Sequence, residues 1–395
     1  MKRPAGGFGT LLVHGGEDSC PDISPSSMPI YQTSTFFFTD PAEVAAIAEG
    51  RKSGFVYTRM GNPTVKAFED KMALLEKGAS AVAFSSGMAA VSAVLLDSLN
   101  PGDEIISSSR IYGGSRAFFD NVLRKLRCPV RYFDPHDDLQ VKIPSLITKK
   151  TRLIFFETPS NPALSIIDMR VIADIARKAR LLSVIDNTFA TPYLQKPLTE
   201  GIDCVIHSAT KYIGGHGDAI GGVVAGSRRL VRRLRENMLM NLGACLSPFN
   251  AWLFLRGLKT LHLRMDYHCQ SAAAIAEFLA GHQKVGSVLY PGLREHPGHK
   301  TAKRQMKSYG GVVSLTLGSR AACRRFMKRL RLCRTGVSLG DTETIVMNAA
   351  LMFNNSVSDA ECLRRGIDPA LVRISTGLED ADDIISDIEQ ALRGL

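Results

Sequence analysis

Apolar residues recur in two alternating patterns from Thr64 to about Met238. The segment TVKAFEDKMALLEK has helical periodicity, and the short apolar run SAVAFSS that follows it is typical of a buried strand. The same alternation continues through EIISSS, PVRYFD, RLIFFETP, LLSVIDN, CVIHSATK and GGVVAG, which we interpret as strands separated by helices. This order predicts an α/β fold with a mainly parallel sheet that helices cover on both faces. Ligands of such sheets bind at the carboxyl ends of the strands.

Both ends of the chain depart from this alternation. Residues 1–60 are rich in Gly, Pro, Ser and Thr, and they predict an N-terminal arm with one short helix around Pro41 to Glu49. We expect the arm to contact a neighbouring subunit; a loop on its own domain is the alternative. Past Leu246, one long or kinked helix precedes a mixture of strand-like and helical runs. We therefore predict a large domain at 61–250 and a smaller α+β domain at 251–395.

The composition is that of an ordinary globular protein. Hydrophobic residues make up 45% and charged residues 22% of the 395 residues, which excludes disorder, collagen and coiled coil as the main architecture. The formal net charge is +11, which by itself is compatible with nucleic acid, anionic membranes or acidic substrates. The arginines of SRRLVRRLREN and RRFMKRLRLCR recur at helical spacing, so we interpret them as solvated helix faces and expect no nucleic-acid partner.

The apolar runs are too short for export or membrane insertion. A signal peptide needs roughly 7–15 consecutive apolar residues and a spanning helix about 20. Eight cysteines are scattered without a C-x-x-C pair, which is typical of reduced thiols. We therefore expect a cytoplasmic protein with no membrane partner. Cys204 and His207 form a Cys-x-x-His without a second pair, so we expect no metal site.

The strongest chemical signal lies in residues 183–218, SVIDNTFATPYLQKPLTEGIDCVIHSATKYIGGHGD. Asp186 ends one apolar strand, and Lys211 follows the end of the next, with Ser208 and Thr210 beside it. Pyridoxal phosphate (PLP) requires a lysine for a Schiff base, a carboxylate that keeps the pyridinium nitrogen protonated, and hydroxyls for the phosphate. The alternative is a buried salt bridge with ordinary turn residues, which the ordered set disfavours.

Two further segments suit the same phosphate. Gly87 and Met88, in SSGMAA, open a predicted helix, where backbone N–H groups and the helix dipole bind anions. In YTRMGNPT, Tyr57 and Arg59 offer a hydroxyl and a guanidinium. Because these two residues lie on the predicted arm, we expect them to reach the site of a neighbouring subunit.

A family resemblance follows from the order of the motifs, which are YTRMGNPT, SSGMAA, IYGGS, ETPSNP, VIDNTF, SATKYIGGHGD, LSP…LRGLKTLHLRM, SLGDTET and VRISTGLED. The set resembles the Cys/Met-metabolism family of fold-type I PLP-dependent enzymes, from about Gly15 to the C-terminus. That family includes cystathionine γ-synthases and γ-lyases, methionine γ-lyases and O-acylhomoserine sulfhydrylases. The resemblance implies a fold-type I PLP-dependent transferase fold and a homotetramer, a dimer of dimers with shared active sites.

The resemblance also implies roles around the cofactor. Lys211 corresponds to the Schiff-base lysine and Asp186 to the partner of the ring nitrogen. Asn161 corresponds to a residue that hydrogen-bonds near the ring oxygen. The residues implied for the phosphate are Gly87, Met88, Ser208 and Thr210, with Tyr57 and Arg59 of the adjacent subunit.

The implied substrate residues point to an amino acid. Arg373 would bind the α-carboxylate with Ser338 beside it, and Tyr112 would stack on the ring and move protons near the leaving group. Val337 stands where cystathionine enzymes of the family commonly carry an acidic residue, and it resembles the methionine γ-lyases in suiting an uncharged γ-group. Residues 344–355, TIVMNAALMFNN, depart from the family pattern. They indicate either a specialised pocket for the substrate side chain or neutral sequence variation in a loop that tolerates substitutions.

We therefore predict a PLP-dependent enzyme that eliminates a γ-substituent, giving a 2-oxo acid, ammonia and the released group. Gly114 and residues 240–243 depart from the pattern of methionine γ-lyases. The identity of the substrate is therefore left open, and a non-standard amino acid is one candidate. The first alternative is γ-replacement on an O-activated homoserine. The second alternative is a basic binding protein that keeps the fold of a PLP enzyme without its activity. The presence of Lys211, Asp186, Tyr112 and Arg373 argues against it.

Overall fold

The described residues of the N-terminal part of the chain contain two short helices. The structure is a computed structural model that describes residues 6–16, 25–348, 350, 358–364 and 368–395. The helices are α1 (Phe8–His14) and α2 (Pro41–Ala48). Asp40 accepts a hydrogen bond from the amide of Ala42, and Pro41 occupies the first turn, so the local sequence explains where α2 begins. The helix predicted around Pro41 is confirmed.

The larger of the two sheets has seven strands, which lie between residues 80 and 226. Its strands are β1 (Ser80–Phe84), β2 (Glu104–Ser108), β3 (Val130–Phe133), β4 (Thr151–Glu157), β5 (Leu182–Asp186), β6 (Cys204–Ser208) and β7 (Gly222–Gly226). They lie in the order β1-β7-β6-β5-β4-β2-β3. Strands β2 to β6 pair in parallel, whereas β7 runs antiparallel to both β1 and β6. The predicted α/β fold with a mainly parallel sheet is confirmed.

Helices pack on both faces of this sheet. They are α3 (Pro63–Leu75), α4 (Gly87–Ser98), α5 (Gly113–Phe118), α6 (Leu139–Leu146), α7 (Met169–Ala179), α8 (Thr191–Leu194), α9 (Arg228–Arg233) and α10 (Met240–Leu242). Val184 and Ile206 belong to a buried cluster that contains residues of α4, whereas Ile185 and Val205 belong to one that contains residues of α7. Neighbouring residues of one strand thus face opposite clusters, as the period of two requires. One-turn π-helical segments cover Phe119–Leu123 and Leu234–Leu239, and a 3₁₀ turn covers Pro197–Glu200.

The C-terminal part is a smaller sheet with helices against it. Its strands are β8 (Ser287–Leu289), β9 (Val312–Thr316), β10 (Arg334–Thr335), β11 (Ile345–Asn348) and β12 (Leu371–Ser375), in the order β10-β11-β12-β9-β8. Its helices are α11 (Pro248–Leu258), α12 (Leu261–Ala280), α13 (His299–Gln305), α14 (Arg320–Arg329), α15 (Asp359–Arg364) and α16 (Ala381–Leu392). The predicted long helix is two helices, α11 and α12, separated at Lys259 and Thr260. The domain boundaries at residues 60 and 250 stay a prediction.

The atypical segment 344–355 begins as an interior strand. Ile345 to Asn348 form β11, which pairs antiparallel with β12. The Asn348 side chain is buried, and its amide donates to the carbonyl oxygens of Pro369 and Leu371 at 2.9 and 3.2 Å. Asn348 therefore stabilises the start of β12. Position 349 and residues 351–355 of the segment lie outside the described residues.

His207 binds a carboxylate. Its Nε2 lies 2.5 Å from Oε1 of Glu76, and both side chains are fully buried. In the part of the chain that the structure describes, no three His, Cys, Asp or Glu residues are grouped so as to hold a metal ion. The helices of that same part include none long and apolar enough to span a bilayer.

Candidate active site

A cavity of about 280 Å³ opens where β4, β5 and β6 end, beside the first turn of α4. It lies at the carboxyl edge of the parallel strands, as expected for an α/β sheet. Most of the residues proposed from the sequence line it, namely Gly87, Met88, Tyr112, Asn161, Asp186, Ser208, Thr210, Lys211, Val337 and Arg373. Residues more than 280 positions apart are therefore brought to one place by the fold.

Asp186 is held in position by the residue two places after it. Its Oδ1 accepts from the amide of Thr188 at 3.0 Å and from the Thr188 hydroxyl at 2.5 Å. Asp186 is partly buried and lines the cavity. Burial raises the pKa of Asp186, and the Thr188 hydrogen bonds oppose that rise. The carboxylate is thus oriented, and a cation placed against it would favour its charged form.

Lys211 lies on the turn that follows β6. Its amide donates to the carbonyl of Ser208, and Thr210 exchanges hydrogen bonds with the backbone of Gly221 at 3.1 and 3.2 Å. The Lys211 Nζ donates to the Ser338 hydroxyl at 2.9 Å. Burial, followed by the positive charge of Arg373, lowers the pKa of Lys211 to about 8. About half of this amine is therefore neutral, and nucleophilic, at mildly alkaline pH near 8.

The first turn of α4 forms an anion-binding wall. Ser86 caps the helix by accepting from the amide of Ala89 at 3.0 Å, which leaves the N–H groups of Gly87 and Met88 at the helix start. A Cβ on Gly87 would lie 2.7 Å from the Cβ of Ser208, closer than carbon atoms approach. Only glycine allows β6 and α4 to come this near, so backbone amides and the Ser208 hydroxyl face one space.

Arg373 enters the cavity from β12 of the smaller sheet. Its Nη1 donates to Oδ1 of Asn161 at 3.1 Å, and its Nη2 donates to the Ser338 carbonyl at 2.6 Å. The side chain is buried, and burial lowers the pKa of Arg373 to about 10. Its Nε is buried without a hydrogen-bond partner among the described residues. A guanidinium with unused donors in a cavity is suited to a carboxylate.

Tyr112 precedes α5 and is held through its backbone. Its amide donates to Oε1 of Glu157 at 2.6 Å, and its side chain is 39% exposed towards the cavity. Gly114 lies directly under the ring, because a Cβ there would come within 2.4 Å of Cε1 of Tyr112. The absence of a side chain at position 114 thus permits this position of the ring.

Three of the proposed residues do not line the cavity. Ser338 reaches it only through its hydrogen bonds to Lys211 and Arg373. Tyr57 is 41% exposed, and Arg59 donates to the Met240 carbonyl, away from the cavity of its own chain. The role of Tyr57 and Arg59 at a neighbouring site stays a prediction.

The sequence did not lead us to predict two residues of the site. Thr188 orients Asp186, and Glu157 lines the cavity as the register partner of Asp186 on β4. A signal for Glu157 was present, since it ends an apolar strand as Asp186 does, immediately before a proline-rich turn. Thr188 carried no local signal, because its contact depends on the turn after β5.

Known proteins that are similar in sequence to this chain belong to a family of PLP-dependent enzymes. The profile of the family described as Cys/Met metabolism PLP-dependent enzyme matches residues 9–393. The chain belongs to this family. It is 41% identical to L-methionine gamma-lyase of Fusobacterium nucleatum over 99% of both chains. It is 40% identical to cystathionine gamma-lyase of Bacillus subtilis, over 98% of this chain and 99% of the relative.

Solved structures of the family share the fold. A Campylobacter jejuni structure that contains N'-pyridoxyl-lysine-5'-monophosphate superposes with a TM-score of 0.94 at 31% identity, covering 98% of this chain and all of that one (100%). The chain is therefore a PLP-dependent enzyme with the fold of its family.

The cavity fits the cofactor that the family uses. A lysine amine with a lowered pKa, an oriented carboxylate and a glycine-permitted anion wall all face it, and these are the three kinds of group that PLP requires. The raised pKa of Asp186 adds to the fit, because a pyridinium cation would supply the charge that this buried carboxyl group otherwise lacks.

The lowered pKa of Lys211 can be tested on the cofactor-free protein. We expect the rate of Lys211 labelling by trinitrobenzenesulfonate to rise with a midpoint near pH 8, below the roughly 10.4 of an ordinary lysine. In Arg373→Met the midpoint should move upward, because a cationic neighbour is lost. Peptide mass spectrometry measures the labelling. Arg131→Met, which removes a guanidinium paired with Glu104, is the control. A wild-type midpoint equal to that of surface lysines would contradict the assignment.

Proposed function

We propose that the enzyme eliminates the γ-substituent of an L-amino acid, as a methionine γ-lyase does. The reaction consumes one water and releases a 2-oxo acid, ammonia and the γ-group. One observation carries the proposal: the Lys211 amine, with its pKa lowered to about 8, opens onto the same cavity as the Asp186 carboxylate and the Arg373 guanidinium. Relatives named L-methionine gamma-lyase and cystathionine gamma-lyase support the same reaction class.

We assign the cofactor-binding residues from their placement in the cavity. All three line the cavity: Lys211 would be the attachment point, Asp186 would bind the ring nitrogen, and Asn161 would hydrogen-bond near the ring oxygen. When bound, PLP supplies the electron sink that makes the Cα and Cβ protons of an amino acid acidic. The groups assigned to the phosphate are Gly87, Met88, Ser208 and Thr210, with Tyr57 and Arg59 of a neighbouring subunit.

The residues assigned to the substrate orient it for proton transfer. Arg373 binds the α-carboxylate with its unused Nε donor, and Ser338 fixes the guanidinium from its other side. The substrate Cα then faces Lys211, whose amine accepts the Cα proton because its lowered pKa keeps it partly neutral. Tyr112 lies above the cavity with an exposed hydroxyphenyl group, and we assign it to proton transfer at the leaving γ-group.

The mouth of the cavity favours an uncharged γ-group. Val337 is 80% exposed at this mouth, and Ile220, Phe189 and Leu339 add apolar surface to the same wall. None of the described residues 344–348 lines it, so we assign the choice of γ-group to Val337 and its neighbours instead. γ-Replacement on an O-activated homoserine is the second candidate, because departures at Gly114 and residues 240–243 separate the chain from methionine γ-lyases.

We also propose a homotetramer, a dimer of dimers in which the arm completes the neighbouring active site. The support is that Tyr57 and Arg59 lie outside their own cavity, and that Phe37, on the same arm, is 96% exposed. Ile30 and Met60 of the same arm are also more than a third exposed, and several exposed apolar side chains on one segment are typical of a surface that another subunit covers. The cytoplasmic location expected from the sequence also stays a proposal.

Product analysis separates elimination from replacement. We expect 2-oxobutyrate from methionine, cystathionine or O-acetylhomoserine without an added thiol, and a slower rate by roughly 10³-fold or more in Lys211→Ala. Each amino acid is incubated with the holoenzyme with and without methanethiol. Product that forms only when the thiol is present would favour the replacement enzyme, and unchanged turnover in Lys211→Ala would refute the role of the lysine.

Substitution at position 337 tests the choice of γ-group. Val337→Glu should lower kcat/KM for methionine by about tenfold and raise the preference for cystathionine, whose distal ammonium a carboxylate can bind. The measurement is kcat/KM for both amino acids. Val337→Gln has similar size without the charge, so it should show the loss on methionine but no gain in preference. Equal preference in the two variants would contradict a role for charge at this position.

Mixing two inactive variants tests the shared active site. Lys211→Ala removes the catalytic lysine, and Arg59→Ala removes the guanidinium assigned to the phosphate. If Arg59 acts on the neighbouring site, co-expression of the two variants should restore up to about a quarter of wild-type activity. The reason is that one site of each mixed dimer then contains both intact residues. Sites built from a single subunit would stay inactive in every mixture, which activity assays on the purified mixed oligomer would show.

A further inference from the structure

Glu157 is a buried carboxyl group of the cavity wall to which the proposed function gives no task. It is the last residue of β4, only 4% exposed, and it is the register partner of Asp186 on β5. Register partners on adjacent parallel strands point to the same face, so two carboxyl groups stand side by side. Such an arrangement is unfavourable for folding by itself and therefore calls for a compensating role.

The hydrogen bonds of Glu157 connect two separate turns. Oε1 accepts from the amide of Tyr112 at 2.6 Å, and Oε2 accepts from the amide of Asn161 at 3.3 Å. Tyr112 lies 45 positions earlier, ahead of α5, whereas Asn161 follows β4 by four residues. One side chain thus holds the turn that carries the aromatic ring against the turn that carries the amide.

The path continues from Asn161 to the lysine. Asn161 Oδ1 accepts from Nη1 of Arg373 at 3.1 Å, and Nη2 of Arg373 donates to the Ser338 carbonyl at 2.6 Å. The Ser338 hydroxyl in turn accepts from Nζ of Lys211 at 2.9 Å. An unbroken series of polar contacts therefore runs around the cavity from Glu157 to Lys211.

We propose that Glu157 is a positioning residue that holds the Tyr112 ring and the Arg373 guanidinium in one hydrogen-bonded frame around the substrate. It acts through these two residues and has no proton-transfer task of its own. The inference rests on the proposed function, because Tyr112 and Arg373 take their roles from it. It adds that the two ends of the substrate, the carboxylate and the γ-group, are positioned relative to one another by a single side chain.

The chemistry of the carboxyl group explains why glutamate serves here. Both of its oxygens accept hydrogen bonds, and both face backbone N–H donors. A glutamine of equal size offers one acceptor oxygen and one NH₂ group, which would oppose one of the two N–H donors. Burial, followed by the charge of Asp186, raises the pKa of Glu157 well above its usual range, and the hydrogen bonds from the two backbone N–H groups oppose that rise.

A double-mutant cycle tests the link from Glu157 to Tyr112. In the holoenzyme, Glu157→Gln should lower kcat/KM for the best γ-substituted substrate by about 10- to 100-fold, because one buried N–H loses its acceptor. In a Tyr112→Phe background the same change should lower it by only about 3- to 10-fold, since the hydroxyl that it positions is gone and only the loss through Arg373 remains. Independent effects, in which the two fold-losses multiply, would overturn this half of the proposal.

Carboxylate binding to the cofactor-free protein tests the link from Glu157 to Arg373. Butyrate has the substrate carboxylate but no amino group, and titration by NMR measures its dissociation constant. We expect Glu157→Gln to weaken binding by about 3- to 10-fold, because Asn161 no longer fixes the guanidinium. A wild-type protein that does not bind butyrate, or a variant that binds it as tightly as wild type, would overturn this half.

Two further variants keep the result interpretable. Glu104→Gln changes a glutamate that is 8% exposed at the start of β2, outside the cavity lining, and should leave both the kinetics and butyrate binding unchanged. If Glu157→Gln does not fold, Glu157→Asp enters the same cycle, because its shorter side chain cannot reach both amides. Absence of any 2-oxo acid from the wild-type enzyme would refute the proposed function, while butyrate titration would still test the frame.

Discussion

Parallel pairing of β4, β5 and β6 is the constraint on which the site depends. Parallel strands point in one direction, so the first polar residue after each buried apolar run emerges at the same edge of the sheet. Register places Glu157 beside Asp186, and Ser208 ends the next strand. The turn after β6 then returns Lys211 over that edge. The cavity exists because these ends coincide, and a shift of one residue in any strand would direct its polar group to the opposite face.

Desolvation of charged groups gives this edge its reactivity. The pKa of Lys211 falls and that of Asp186 rises for the same reason, which is that the charged form of each loses water. Hydrogen bonds from backbone and hydroxyl groups offset part of that loss and orient the side chains at the same time. Arg373, supplied by the smaller sheet, adds a cation that lowers the pKa of the lysine and offers an unused donor to a carboxylate.

Residues of the smaller sheet complete the cavity that the large sheet begins. β12 carries Arg373, and the turn before β11 carries Ser338, which contacts both the arginine and the lysine. The contact of Ser338 with Lys211 joins residues 127 positions apart, and that of Arg373 with Asn161 joins residues 212 positions apart. Tyr57 and Arg59 lie outside that cavity, which is consistent with an arm whose task lies on another subunit.

The sequence by itself determined the alternation of strands and helices, the mainly parallel sheet, the cofactor class and most of the cavity residues. Periodicity and motif order are local properties of the chain, and strand ends such as Asp186 can be located from them. Only the tertiary structure decided that Glu157 binds the amides of Tyr112 and Asn161, and that Asn348, in the atypical segment 344–355, supports β12. Those contacts depend on how distant turns pack against one another, which no local pattern of residues encodes.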